Sequence, residues 1–434
     1  MLFRNFLVSD LFKELHIRAN EQRKADARKR LDYYHDSQEA YLLEQLQRRF
    51  TFPEKLQPVF LNVVKKIVNR LAQVYQEDAK RTLDGTDRDK ELFAAIATGC
   101  GLDMKLKTAS RYTKLLKNLM LKVVWRGGMI DLDLVTPDIL DVQTGNGPED
   151  VVQVMVTNYG PSERMEDVTY SVWTPETWRK LDYRGGEIDG GPNPYGRIPF
   201  VPLFDYAPTS DFWLPGGDDL VSVQDAINER LVDLLHVLRF QAFGVGYIRG
   251  REGEGIDAVD PGSFVELPEN GELGFADTEA KIEETLAAID KLLKWAAVTN
   301  GLSAASLSTE PQEQSGVSKL ADNEELQELR KDDVALFRRY EKQLFGVIRA
   351  VWNHHNPGKP LSKGASLQID FFEPKPAMSP LDQVSRWERL LEMGIISPVD
   401  VALARNPDLQ TREDALAYLL SIQAEREELR GGDY

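Results

Sequence analysis

The chain has 434 residues, with 70 Asp and Glu against 53 Lys and Arg and a formal net charge of -17. That length gives room for several domains and a sizeable core, and the acidic balance argues against wrapping nucleic acid over the outer surface. No run approaches the roughly 20 apolar residues of a membrane span, the opening residues read as a cytoplasmic start and not a signal peptide, and the single cysteine, Cys100, excludes an intramolecular disulfide or a cysteine-cluster metal site.

Residues 1–80 run against the overall balance, with 15 basic and 11 acidic side chains. Residues 8–50 are helical in pattern, marked by Leu11, Leu15, Leu31, Tyr34, Leu42, Leu46 and Phe50. Pro53 opens the next helix, where Phe60, Val63, Val64, Ile67, Val68, Leu71, Val74 and Tyr75 recur at three-four spacing and predict a core helix. Asp84-Gly85 and the glycines at 99 and 101 punctuate the route to another helix over 105–118. The period then changes to two. Residues 121–125 and 129–134 flank Arg126-Gly127-Gly128, a hairpin signal, and two further strands fit 151–158 and 168–173. Thr174-Pro175-Glu176 predicts the start of a short helix, and Gly185 to Asn193 reads as loop. The unit is α+β with an antiparallel sheet.

A proline-bracketed extended run over 194–204 leads through a turn at 213–217 into an amphipathic helix over 218–240. Leu220, Val223, Ile227, Leu231, Leu234, Leu235 and Leu238 mark one side of it. A glycine-studded strand follows at 244–250, then an acidic module. A helix over 276–298 returns, apolar at Ile282, Leu286, Ile289, Leu292, Leu293 and Ala296, with Lys281, Lys291 and Lys294 on its polar side. Matched lengths predict an antiparallel pair with an insertion at its far end. Residues 249–284 hold 3 basic and 11 acidic side chains. The cluster Glu252, Glu254, Asp257, Asp260, Glu266 and Glu269 is either a solvated loop or a docking surface for a basic partner. Residues 300–316 are small, polar and without period, the pattern of a functional loop. A helix over 318–352 would reach roughly 50 Å. A strand at 366–372 and a helical region over 380–430 complete the chain.

Catalytic patterns do not emerge. Cys100 lacks a cationic or histidine neighbour to activate it and reads as a structural thiol. The pair His354-His355 points about 100° apart on a helix, and no spaced ligand completes a zinc set, so both read as solvated or capping residues. Phosphate-cradling loops and serine elbows are missing. No cofactor is expected, and the chain does not read as an enzyme.

The order of parts resembles the portal proteins of tailed double-stranded DNA bacteriophages. The resemblance is carried by Gly196-Arg197-Ile198-Pro199-Phe200-Val201-Pro202, the helix with Asp218-Asp219-Leu220 and Asp225-Ala226-Ile227-Asn228, and the 244–250 strand. The acidic insertion, the returning helix, the loop and the helix with Ser315-Gly316-Val317-Ser318-Lys319-Leu320 complete it. What the resemblance implies is a mostly helical α+β protomer with wing, stem, clip and crown, assembled as a ring, typically a dodecamer, at one capsid vertex of the virion. It implies a wing over 1–217, stem helices over 218–243 and 276–299, and a clip over 244–275. A tunnel loop over 300–317, the wing's long helix and strand over 318–379, and a crown over 380–434 follow. It further implies that DNA is packaged and ejected through the channel. The terminase large subunit and later a head-completion adaptor would dock at the clip, and major capsid and scaffold proteins at the wing.

Twelve copies at -17 each would carry about 204 negative charges, a wall that repels phosphate and lets duplex slide. Lys291, Lys294 and Lys319 would form sparse cationic rings or else bridge neighbouring subunits. Ser303, Ser306 and Ser308 would lie in a mobile loop beside the DNA. A ring-forming head-completion adaptor or helical scaffold is the alternative, and an enzyme using buried carboxylates a more distant one.

Overall fold

Two adjacent glycines set the first piece of the body. Gly127 and Gly128 both have positive φ, 60° and 81°, as a two-residue type I′ turn requires. They join strand β2 (Asn118–Arg126) to strand β3 (Met129–Val135) in the predicted hairpin, with Arg126 paired to Met129. The structure, a computed structural model, describes residues 18–49, 58–162, 164–243, 245–249, 272–276, 282–307, 316–372, 380–406, 409 and 411–431. Met1–Gln312 with Asp322–Phe372 form one compact unit, and Glu313–Ala321 with Glu373–Tyr434 a second.

In the first unit the helices are α1 (Arg18–Tyr34), α2 (Glu39–Arg49), α3 (Val63–Leu71), α4 (Asp87–Gly99), α5 (Leu102–Leu116), α6 (Asp218–Phe243) and α7 (Ile282–Thr299). Helix α8 (Gly316–His355), at 40 residues about 60 Å long, exceeds the 318–352 expectation at both ends. Strand β2 is central in a three-stranded antiparallel sheet, between β3 and β9 (Phe200–Phe204). Pro202 sits on β9, an edge strand, where a missing N–H is tolerated. A five-stranded meander follows chain order: β4 (Leu140–Thr144), β5 (Val151–Asn158), β6 (Thr169–Trp173), β7 (Thr177–Leu181) and β8 (Glu187–Pro192).

Two predicted segments are corrected in this meander. Thr174-Pro175-Glu176 does not start a helix. The Thr174 hydroxyl accepts from the Thr177 and Glu176 amides at 2.9 and 3.3 Å, which closes a hairpin turn, and Trp173 and Trp178 face each other across it at 6.0 Å. A Thr-Pro-Glu start signal is equally a turn signal, and tertiary pairing decides. The expected loop from Gly185 to Asn193 contains β8, whose Gly190 and Gly191 are accommodated because it is the exposed edge of the sheet.

Helix α3 is shorter than the Phe60 to Tyr75 pattern. Asn62 caps it, its side chain accepting from the Lys65 amide at 2.8 Å. Val74 and Tyr75 lie beyond its end yet are buried in the neighbouring core. Their spacing reported burial, not helix. Strand β1 (Lys80–Asp84) pairs antiparallel with β12 (Ser366–Asp370), and α4 is opened by a capping box between Thr86 and Asp89. Neither β1 nor α4 was anticipated.

One core gathers the three-stranded sheet, α4, α5, α8, β1 and β12, around Leu119, Leu203, Ile348 and Val351. Tyr340 fixes α8 to β9: its hydroxyl donates to the Phe204 carbonyl at 3.2 Å and accepts from the Phe204 amide at 3.1 Å. His355 is neither solvated nor a cap. It stacks on Trp125 at 4.7 Å and contacts the Tyr195 hydroxyl at 3.1 Å. Burial, followed by the adjacent His354, lowers its pKa. Cys100 is buried, and burial raises its thiol pKa, as suits a structural residue. The second unit holds helices α9 (Pro380–Glu392), α10 (Pro398–Arg405) and α11 (Arg412–Gly431), with α10 capped by Ser397 and Asp400.

Candidate functional site: the paired helices and the turn that follows

Helices α6 and α7 pack against each other, joined at one end by strands β10 (Val245–Arg249) and β11 (Glu272–Ala276), which pair antiparallel from Val245↔Ala276 to Arg249↔Glu272. The predicted return helix from 276 is corrected: Ala276 is in β11, and the helix begins at Ile282. Among the described residues α6 has 26 and α7 has 18.

Nor is the pair free of the body. Leu220, Val221, Ile227 and Leu234 of α6 and Ile289, Leu293, Ala296 and Ala297 of α7 share a core with α1, α3 and α5. The predicted apolar stripe of α6 is covered only in part. Leu235 and Leu238 are exposed, while Gln224 and Asn228 are buried. These amides form a chain that sequence patterning treats as polar surface. Gln224 accepts from the Val63 and Val64 amides at 2.7 and 3.3 Å, meeting two of the unpaired donors at the start of α3. It donates to Asn228 at 2.8 Å, and Asn228 donates to Gln38 at 2.9 Å.

The acidic side of α6 absorbs the basic surplus of the N-terminal helices. Arg30 reaches Asp218 at 2.5 Å, Lys29 reaches Asp225 at 3.2 Å, and Arg49 reaches Glu229 and Asp233 at 3.0 and 3.5 Å. The Tyr33 hydroxyl also donates to Asp225. Burial above all, with that carboxylate, raises the Tyr33 pKa. These partly exposed pairs orient the helix more than they stabilise it.

On α7, Trp295 and Val298 are exposed at 61% and 58%. They lie with Ala288 and Lys291 on the face opposite the buried Leu293 and Ala297, as the 100° step of a helix dictates. Trp295 does not stand out from apolar periodicity. Its signal was available: an indole on the face otherwise assigned to lysines. Lys291 is exposed on this face, and Lys294 is engaged with Asp290 at 2.5 Å, one turn earlier. The turn after α7 is more anchored than its composition suggests. Leu302 and Leu307 are buried, Ala304–Leu307 form a 3-10 turn, and the Ser306 hydroxyl donates to the Ser303 carbonyl at 2.6 Å. Lys319 lies on α8, its side chain outside the described residues. Ser308, Glu252, Glu254, Asp257, Asp260, Glu266 and Glu269 also lie outside them.

Among the described residues no helix is long and apolar enough to cross a membrane, and no three His, Cys, Asp or Glu side chains gather as a metal site. Residues 15–429 match the model of the phage portal protein family of SPP1 Gp6-like type. The chain belongs to that family, whose members are structural proteins of phage-like particles. Among solved structures it is similar to a chain from the neck of an empty GTA particle computed with C6 symmetry, at 16% identity and TM-score 0.44, covering 79% of this chain and 89% of that one. It is also similar to a chain from the virion of a native gene transfer agent particle, at 15% identity and TM-score 0.38, covering 83% and 92%. No curated protein matches.

Proposed function

We propose that this chain forms a ring of about twelve copies, the family's usual number, that conducts double-stranded DNA through one vertex of a phage-like capsid. In this reading 1–217 and 318–379 are the wing, 218–243 and 276–299 the stem, 244–275 the clip, 300–317 the tunnel loop and 380–434 the crown. The clip acids would receive the terminase large subunit and then a head-completion adaptor, and the wing would meet major capsid and scaffold proteins. The channel segment would bring Lys291, Lys294, Lys319, Ser303, Ser306 and Ser308 near the duplex, without sequence specificity. The work of ATP hydrolysis belongs to the motor that docks.

The observation that carries the reading is the exposed face of Trp295 and Val298, on a helix whose other side is already packed. Large aromatic groups left uncovered on a single chain mark a partner surface, and in a portal that partner is the next copy. Mass photometry and cryo-electron microscopy of the purified chain are expected to show rings with a central hole. Trp295→Glu is expected to shift them to smaller species. Solitary particles near 49 kDa in the wild type would overturn the ring.

Loop function is tested separately. Deleting 308–314 keeps the buried Leu302 and Leu307, so rings are expected to assemble while particles lose their packaged DNA. Filled heads from that variant would remove the loop from DNA retention.

A further inference from the structure

A cleft of about 520 Å³ lies between α3 and α5, at the foot of the 302–307 turn. Its lining includes Lys66 and Arg70 from α3, Lys107 and Arg111 from α5, and Ser306 from the turn. Each helix thus contributes two cations four residues apart, an arrangement that costs helix stability by like-charge repulsion. The cleft brings the two pairs together with no carboxylate in its lining. Several buried or half-buried lysines and arginines of the body have carboxylate partners, as Arg81, Lys114 and Lys24 do. None of these four does among the described residues, in a chain whose acids outnumber its bases by 70 to 53. Lys66 and Arg70 are exposed at the rim, while Lys107 and Arg111 are half-buried deeper in. Arg111 Nε is buried without a hydrogen-bond partner. Asn69, Gln73 and Gln76 add neutral hydrogen-bonding groups to the wall.

We propose that this cleft is a phosphate site that takes the sugar-phosphate backbone of duplex DNA at the foot of the tunnel-loop segment. The inference rests on the DNA-conducting reading. Guanidinium and ammonium groups on opposite walls can each donate to phosphate oxygens, and arginine does so through paired N–H groups. The volume exceeds one phosphate group and leaves room for the adjoining sugar. A local cluster of this kind in an acidic protein gives a hold on the duplex without the continuous attraction that would stall sliding.

The test uses full-length rings and a short labelled duplex, with affinity measured by fluorescence anisotropy from about 50 to 200 mM salt. The doubly substituted Lys66→Gln, Arg70→Gln chain changes only exposed side chains, and mass photometry checks that its rings are intact. Its affinity is expected to fall, and the slope of log affinity against log salt to shrink by about 1.8, two contacts at roughly 0.9 each. A second doubly substituted chain, Lys107→Gln, Arg111→Gln, is expected to shrink it similarly. Replacing part of the chloride by inorganic phosphate at equal ionic strength should weaken duplex binding in the wild type and leave the substituted rings unaffected. Intact rings that bind duplex with an unchanged slope after both double substitutions would overturn the site while leaving the ring standing. Phosphate that binds with no competition against duplex would assign the cleft to a free anion and overturn the DNA proposal. Wild-type chains that form no ring would instead sink the reading beneath it.

Discussion

Glu341→Ala is expected to destabilise the first unit by about 3–5 kcal/mol, the usual cost of stranding a buried charge. Glu341 lies on α8 with only 2% of its surface exposed. It accepts from Arg81 Nε at 2.5 Å and from a second guanidinium nitrogen at 3.1 Å, and from the Tyr75 hydroxyl at 2.7 Å. Burial alone would lower the Arg81 pKa, but the bonds to Glu341 and then Asp103 hold it above its ordinary value. Arg81 belongs to β1 and Glu341 to α8, so the pair fastens the edge strand to the central helix. Removing the carboxylate leaves a buried guanidinium with Asp103 alone, and Asp103 is part-exposed. Urea titration followed by tryptophan fluorescence reads the effect, since six of the seven tryptophans are in this unit. The doubly substituted Arg81→Met, Glu341→Met chain is expected to recover most of the loss, because replacing both charges removes the stranded one. A double substitution as damaging as Glu341→Ala alone would show that shape, not charge, holds the contact.

Lys114→Met is expected to cost about 3–5 kcal/mol at pH 8 and clearly less at pH 5. The Lys114 ammonium sits between Asp205 and Asp333, 2.8 Å from each, and Lys117 lies 2.7 Å from Asp205. Burial pushes the Asp333 pKa up to about 6, with Lys114 opposing the rise. The sign follows directly. Between 3.8 and about 6 the folded state binds a proton at Asp333 that the unfolded state does not. Stability therefore falls as pH rises through that window, and the cost is complete above it. Taking away Lys114 removes the opposing charge and drives this carboxyl further up. Every further tenfold weakening of its acidity deepens the loss at pH 8 by about 1.4 kcal/mol, while at pH 5 the carboxyl is already protonated and that part vanishes. Asp205 keeps Lys117, so it does not reverse the trend. Equal losses at the two pH values would rule out Asp333 as the titrating group.

Much of the body was legible because its signals are local. Gly127-Gly128 between alternating apolar runs defines a hairpin without any help from the rest of the chain, and the long periodic stretches of α6 and α8 could hardly be strands. What escaped depends on partners distant in sequence. Lys80–Asp84 has no apolar alternation and is a strand only because Ser366–Asp370 lies beside it. Glu187–Pro192 carries the glycines of a loop and extends because β7 offers it a ladder. Nothing along the chain marks Gln224 and Asn228 as buried, because a buried amide is recognisable only once its donors and acceptors are in place. The candidate site divides the same way. The helix pair and the turn after it are visible as pattern, and the Lys294–Asp290 pair follows from i,i+4 spacing on a helix, whereas the uncovered Trp295 and the cationic cleft require three-dimensional placement. The cleft draws on residues at 66–76, 107–111 and 306–307, which no window along the chain places together.

The β1–β12 ladder also sets a timetable for biosynthesis. Lys80 leaves the ribosome early, and its partner Asp370 follows only after roughly 290 more residues. At synthesis rates of about 5–20 residues per second, β1 waits on the order of fifteen seconds or more for its neighbour. Helices α6 and α7 both emerge during that wait, ahead of the strand that closes the body. A prematurely terminated chain would thus carry both helices on a frame left open at one edge, with unpaired N–H and C=O groups inviting misassembly.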